Sequence, residues 1–162
     1  KKNIITGNSK KIDGIRADSG KLILSSNTIS SCSRAIILSS KVKGTVYPNT
    51  FKKNTYNNVK VNSSYVNTLT VKSLSGKSKS AKTATLNWKK LSSASGYVVY
   101  RSASKNGSYT KISTIKKNKT ITYKDSKLKR KSTYYYKIVP YTTIGKTTVY
   151  GLDSKIVSIK IK

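Results

Sequence analysis

The sequence predicts an all-β protein in two parts: the last coils of a parallel solenoid over residues 1–65, then a two-sheet sandwich over residues 66–162. Two observations predict this. In the first part short β-branched runs and Asn residues recur with a period of about 20 residues, the signature of stacked coils. In the second part strand-length runs alternate apolar and polar side chains between clusters of Gly, Ser, Asn and Asp. The change of period near residue 65 marks the junction, and no substantial helix is expected on either side of it.

The solenoid is read from Asn8, Asn27 and Asn49, which stand 19 and 22 residues apart. Ile5, Leu24 and Val46 each lie three positions before one of them, and Ile29 and Phe51 lie two positions after the last two. The runs 14–17, 35–38 and 58–61 follow at intervals of 21 and 23 residues. Coils of this length stack their aliphatic side chains into a central column, and an Asn repeated at a corner can hydrogen-bond its neighbours as a ladder. Residues 62–66 read as the exit linker. This stretch resembles the terminal coils of the right-handed parallel β-helix of pectate-lyase-like proteins. The alternative reading is an irregular β extension packed on the sandwich.

The sandwich is read strand by strand. The first runs over 67–74, followed by a turn at 75–80. The second runs over 82–91, where Ala84, Leu86 and Trp88 alternate with Thr85, Asn87 and Lys89 and so share the core face. Val98 to Ala103 and Tyr109 to Ile115 flank Ser104-Lys105-Asn106-Gly107, and Asn-Gly is a strong hairpin signal because both residues tolerate positive φ. A strand at 120–124 ends at Asp125-Ser126, and the last strand covers 155–161 with Val157, Ile159 and Ile161 inward. The pairing of Trp88 with Gly96-Tyr97-Val98-Val99, and the run from Leu128 to Tyr134 with Ser132 between, resemble the fibronectin type III domain of secreted bacterial proteins. The resemblance implies a buried Trp88 among Leu86, Tyr97, Val99, Tyr134, Tyr136 and Ile138. It also implies a corner tyrosine, Tyr134, whose hydroxyl is tied to backbone near Leu128. Where the family usually carries Pro-Gly in that corner, this chain has Arg130-Lys131.

Charge bounds the partners. Lys plus Arg number 34 against 4 Asp plus Glu, a net charge of +30. It is spread over both parts, +10 in residues 1–65 and +20 in 66–162. Such a chain attracts polyanions. Only Arg16, Arg34, Arg101 and Arg130 carry the planar guanidinium fork that reads phosphates and guanine edges, so no specific nucleic-acid partner is expected. A lysine-rich composition of the source genome is the alternative explanation of the charge. The single cysteine, Cys32, has no disulfide partner and no His beside which to act, and reads as a small buried hydrophobe. No apolar run reaches the roughly 18 residues of a membrane span. The absence of Met and of a signal peptide leads us to expect that the chain begins inside a longer protein or after processing.

No catalytic constellation is present. Asp13 and Asp18 flank Arg16, a poor imitation of the Ca²⁺-binding carboxylates and basic proton acceptor that the β-helix resemblance would imply. Calcium usually takes six to eight oxygen ligands. Asp125 and Asp153 sit in turns, where Asp is common. No metal and no cofactor is expected. Binding residues are proposed in two groups. Tyr100, Tyr135 and Tyr141 would point outward from paired strands and could stack on sugar rings. Lys124, Lys127, Lys129, Arg130 and Lys131 form a basic corner of five cations in eight residues. The expected function is that of a spacer or attachment module in a secreted or cell-surface bacterial protein, with anionic polysaccharide or a wall polymer as partner. The alternatives are the tail of a β-helix polysaccharide lyase or hydrolase whose active site lies upstream, and an adhesion module that binds another protein.

Overall fold

The computed structural model describes residues 3–6, 13–52, 54, 56–67 and 69–162, and among them there are strands and turns but no helix. The chain divides into two compact units. Unit 1 comprises residues 1–69 and 142–151; unit 2 comprises 70–141 and 152–162.

Unit 1 is built from parallel ladders. Its strands are β1 (Ile4–Thr6), β2 (Ile15–Ala17), β3 (Gly20–Leu24), β4 (Thr28–Ser30), β5 (Arg34–Leu38), β6 (Val42–Val46), β7 (Thr50–Lys52), β8 (Tyr56–Val61) and β9 (Ser64–Val66). They pair every third strand: β1 with β4 and β4 with β7, β2 with β5 and β5 with β8, and β3 with β6, all parallel. The partner offset is 22 residues in β3–β6, as in Leu24↔Val46. It is 21 residues for Ile15↔Ile36 and 23 for Ile36↔Val59. Ile29, Ala35, Ile36, Leu38, Val42, Val46, Val59 and Val61 are buried. Three-residue strands cannot bury much each. Stacking their aliphatic side chains lets the apolar area of successive strands add up.

The asparagine ladder exists, with a different first rung. Asn3 Nδ2 donates to Asn27 Oδ1 at 3.1 Å, and Asn27 Nδ2 donates to Asn49 Oδ1 at 2.9 Å. Asn27 is buried, and its backbone N–H is also bound by the Asn49 carboxamide. Asn8 lies outside the described residues. Ile5 accordingly pairs with Ile29 and not with the Leu24–Val46 row. The first two rungs stand 24 residues apart, so the alignment on Asn8 slipped by five. Asn54 makes a further corner, accepting from Cys32 N–H and donating to the Ile29 carbonyl.

Residues 62–66 are a hairpin return, where a linker was expected. Asn62 takes a positive φ of 53°, which Asn tolerates, and β9 turns back antiparallel on β8 with Val59 opposite Val66.

Unit 2 is a sandwich. Its strands are β10 (Leu74–Lys77), β11 (Ala84–Trp88), β12 (Gly96–Ser102), β13 (Thr110–Ile115), β14 (Thr122–Asp125) and β15 (Thr133–Ile144), joined after β16 (Thr147–Tyr150) by β17 (Val157–Lys160). One sheet is β10–β11–β14; the other is β13–β12–β15–β17; both are antiparallel. Between them lie Leu86, Trp88, Tyr97, Val99, Leu128, Tyr136, Ile138, Ile159 and Ile161, with Tyr134 and Val157 partly buried against them. Trp88 is 4% exposed and meets Tyr97 edge to face at 5.3 Å. The first strand starts later than expected. β10 occupies Leu74–Lys77, so 75–77, expected as turn, are strand; Gly76 there lies opposite Leu86, and Ile159 leaves no room for a larger side chain.

Residues 142–151 depart from the sandwich pattern. The end of β15 turns at Gly145, with φ 55°, into β16, and β16 pairs parallel with β6 through Thr148↔Thr45 and Val149↔Val46. The buried Thr147 hydroxyl donates to the Val42 carbonyl at 2.9 Å. The β3–β6 ladder thereby gains a third strand from a segment about a hundred residues downstream. From the sequence one junction is expected, near residue 65, and no strand at 147–150.

Candidate binding surfaces

The basic corner is held by its backbone. Leu128 is buried, and its N–H donates to the Lys82 carbonyl at 3.0 Å. Lys131 N–H donates to the Ile161 carbonyl at 2.9 Å. Lys129 N–H donates to the Tyr134 hydroxyl at 3.2 Å, which is the corner-tyrosine bond expected near Leu128. Lys127 and Lys131 both adopt φ 60°, a left-handed conformation that costs an L-residue about 1 kcal/mol. Lys131 occupies the position where a glycine would adopt it freely. With the backbone pinned in this way, Lys124, Lys127, Lys129, Arg130 and Lys131 all expose their side chains. The fold brings Lys82 and Lys160 to the same corner, through the Leu128–Lys82 bond and the Thr133↔Lys160 pair. Sequence spacing could not have shown this, since Lys82 lies in the turn before β11 and Lys160 on β17, both distant in the chain.

The tyrosine row is only partly assembled. Tyr100 and Tyr135 lie on one face of the β12–β15 pair, where Tyr100 is opposite Lys137 and Tyr135 opposite Ser102. Tyr141 does not join them. It is 9% exposed, its ring lies so close over Gly96 that a β-carbon there would meet its hydroxyl at 2.6 Å, and that hydroxyl donates to the Ile115 carbonyl at 3.4 Å. Period two predicted its face correctly, but not that the face is covered at that end. Two residues not foreseen complete the exposed end. Lys137 Nζ lies 4.8 Å from the Tyr109 ring centre and 5.7 Å from that of Tyr100, and it pairs with Asp153 at 2.6 Å. Burial pushes the Tyr109 phenol above its ordinary value, against the opposing pull of the Lys137 charge.

The remaining carboxylates are also engaged. Asp125 is not an ordinary turn residue. It is buried at the end of β14, accepting from Arg101 Nη1 at 3.0 Å and from the Tyr136 hydroxyl at 2.9 Å. Desolvation, reinforced by the Asp125 charge, raises the Tyr136 phenol far above its usual range. Arg16 holds both Asp13 and Asp18, at 3.5 and 3.7 Å. Among the described residues no group of His, Cys, Asp or Glu side chains gathers as a metal site, and no helix is long and apolar enough to cross a membrane.

No protein-family model matches the chain, and no curated protein matches it. Its structural neighbours are fibronectin type III domains, a bacterial one among them. An Fn3-like protein from Clostridium thermocellum is 29% identical with a TM-score of 0.48, over 56% of this chain and 88% of that one. The sixth fibronectin type III domain of human fibronectin type III domain containing protein 3 is 19% identical with a TM-score of 0.48, over 59% of this chain and 87% of that one. The FN1–FN3 domains of chicken CNTN1 are 18% identical with a TM-score of 0.50, over 64% of this chain and 34% of that one. At that identity the contactin likeness speaks for the fold alone: an all-β chain with a fibronectin type III-like sandwich.

Proposed function

We propose that this chain is a non-catalytic attachment or spacing module of a secreted or cell-surface bacterial protein, and that it holds anionic polysaccharide at the 124–131 corner. In this reading residues 1–65 are the terminal coils of a parallel β-helix, and residues 66–162 are a sandwich module whose 142–151 excursion extends those coils. The parallel ladders with offsets of 21 to 24 residues support the first assignment. The observation that carries the function is the corner itself: five exposed cations on a backbone pinned by Leu128, Tyr134 and Ile161. A fixed array of charge loses less side-chain and loop freedom on binding than a mobile tail does. The engagement of every carboxylate in a cation pair favours attachment over acid–base chemistry.

The test is a salt titration of affinity for polygalacturonate, teichoic acid and DNA. The Debye length is about 10 Å at 0.1 M salt, so diffuse attraction weakens steeply there. Polygalacturonate binding should survive moderate salt better than DNA binding. Charge reversal at Lys129, Arg130 and Lys131 should weaken it roughly tenfold, and Tyr135→Ala should weaken it further at high salt. One common salt slope for all polymers, with Tyr135→Ala without effect, would leave the corner a solvated spacer and refute the reading.

A further inference from the structure

The outward face of the β3–β6–β16 ladder carries lysines at one end and tyrosines at the other. Strand alternation puts Lys21, Ile23 and Ser25 outward along β3, and Lys43, Thr45 and Tyr47 outward along β6. It puts Thr148 and Tyr150 outward along β16. Lys21 stands directly beside Lys43 in register. Lys146, also exposed, lies in the turn immediately before β16. Adjacent strands lie about 4.8 Å apart, so the Lys21 and Lys43 side chains leave the ladder side by side. Four residues along each strand, about 13 Å away, is an aromatic file: Tyr47 and Tyr150 stack with ring centres 5.0 Å apart and planes within 7°. Between these lysines and tyrosines Ile23 is 73% exposed.

Two features make this face unlike an ordinary solvated strand surface. All 4 acidic residues of the chain are already paired, with Arg16, Arg101 or Lys137, so no carboxylate remains to balance these lysines. And the aromatic file ends one rung short. Tyr47 N–H donates to the Leu24 carbonyl and Ser26 N–H to the Pro48 carbonyl, so the register continues past the strands and sets Ser25 under Tyr47. A serine is too short to cover a phenol ring, and Tyr47 is 42% exposed.

We propose that this face is a second binding surface, for a linear uronate polysaccharide. Its sugar ring would take the open rung over Ser25 against Tyr47, and its carboxylates would meet Lys21, Lys43 and Lys146. The inference rests on the attachment reading but places a site on unit 1 that is independent of the 124–131 corner. Stacking needs a ring and the lysines need only charge, so the two contributions separate by ligand.

The experiment uses the full chain, with polygalacturonate and with inorganic polyphosphate, which has charge but no ring. Tyr47→Ser should lower polygalacturonate affinity roughly fivefold and leave polyphosphate affinity unchanged, while Tyr47→Phe retains both. The Lys21→Gln/Lys43→Gln double variant should weaken both polymers and flatten their salt dependence. Amide shifts on adding polygalacturonate should then appear at 21–25, 43–47 and 148–150. Equal loss of both polymers in Tyr47→Ser, or loss of polygalacturonate in Tyr47→Phe as well, overturns the ring contact. Shifts confined to 124–131 overturn this site while sparing the corner reading. Shifts at neither place overturn both.

Discussion

Units 1 and 2 are both made of short strands under a heavy positive charge, yet they are held in different ways. Among the described residues, unit 1 has an aliphatic interior with no aromatic side chain among its buried hydrophobic residues from Leu24 to Leu69, and it hydrogen-bonds a buried asparagine between successive parallel strands. Unit 2 gathers Trp88, Tyr97 and Tyr136 into one antiparallel sandwich and buries a charged network, Arg101–Asp125–Tyr136, at its margin. The first distributes its stability along a repeat, so each rung matters moderately. The second concentrates it, so a few residues dominate. Repeats of this kind depend on neighbour-to-neighbour contacts, whereas a sandwich core is shared by all its strands.

Several substitutions probe that contrast, beginning where the largest loss is expected. Trp88→Ala empties the centre of unit 2 and should cost about 3–5 kcal/mol in urea unfolding; a loss below 1 kcal/mol would mean the core does not depend on one residue. Asp125→Ala leaves Arg101 and the Tyr136 hydroxyl without their acceptor and should cost about 2–4 kcal/mol, softened by the partial exposure of Arg101.

In unit 1, Asn27→Asp keeps shape but turns the donor to Asn49 Oδ1 into an acceptor. It should cost about 2 kcal/mol near neutral pH and recover on acidification, when the new carboxyl is protonated and can donate. An unchanged midpoint at both pH values would show that the ladder is decorative. Thr147→Val removes the hydroxyl bond to the Val42 carbonyl at the strand added by residues 142–151. A cost of about 1 kcal/mol is expected, detected as faster amide exchange at Val42–Val46.

Two smaller effects sharpen the comparison. Tyr136 is raised from 10.0 by burial and by Asp125, so the folded state holds its proton more tightly than the unfolded chain. That contribution is fully present below about pH 10 and declines as pH rises above it. Tyrosinate absorbance should show Tyr136 ionising only with global unfolding, and an early, reversible tyrosinate signal lost in Tyr136→Phe would contradict this. Lys131→Gly removes the left-handed penalty and should stabilise unit 2 by about 0.5 kcal/mol, while also removing one cation from the corner.

Local chemistry made much of this legible. Period two along 84–88 and 96–99 named the core of unit 2, and Asn106-Gly107 named a turn. The resemblance carried by Leu128, Ser132 and Tyr134 implied the corner bond, and each of these features depends on neighbours within a few residues. The 21- and 23-residue spacings of β2, β5 and β8 were likewise visible as repeated aliphatic runs. The slip came at Asn8, where a 24-residue interval broke the apparent period.

The sequence by itself determined that this is an all-β chain with an aromatic sandwich core and a basic corner, since alternation, turn residues and charge are properties of short segments. Only the tertiary structure decided that Asn3 and not Asn8 begins the ladder, that Tyr141 is covered, and that Asp125 is a buried partner of Arg101. It alone added residues 147–150 to a ladder begun at residue 20. The physical reason is common to all four. Pairing and burial are set by which segments distant in the chain meet, over 24 residues for Asn3–Asn27 and Arg101–Asp125, 26 for Tyr141–Ile115 and about a hundred for β16–β6, and neighbours within a few positions do not encode such meetings.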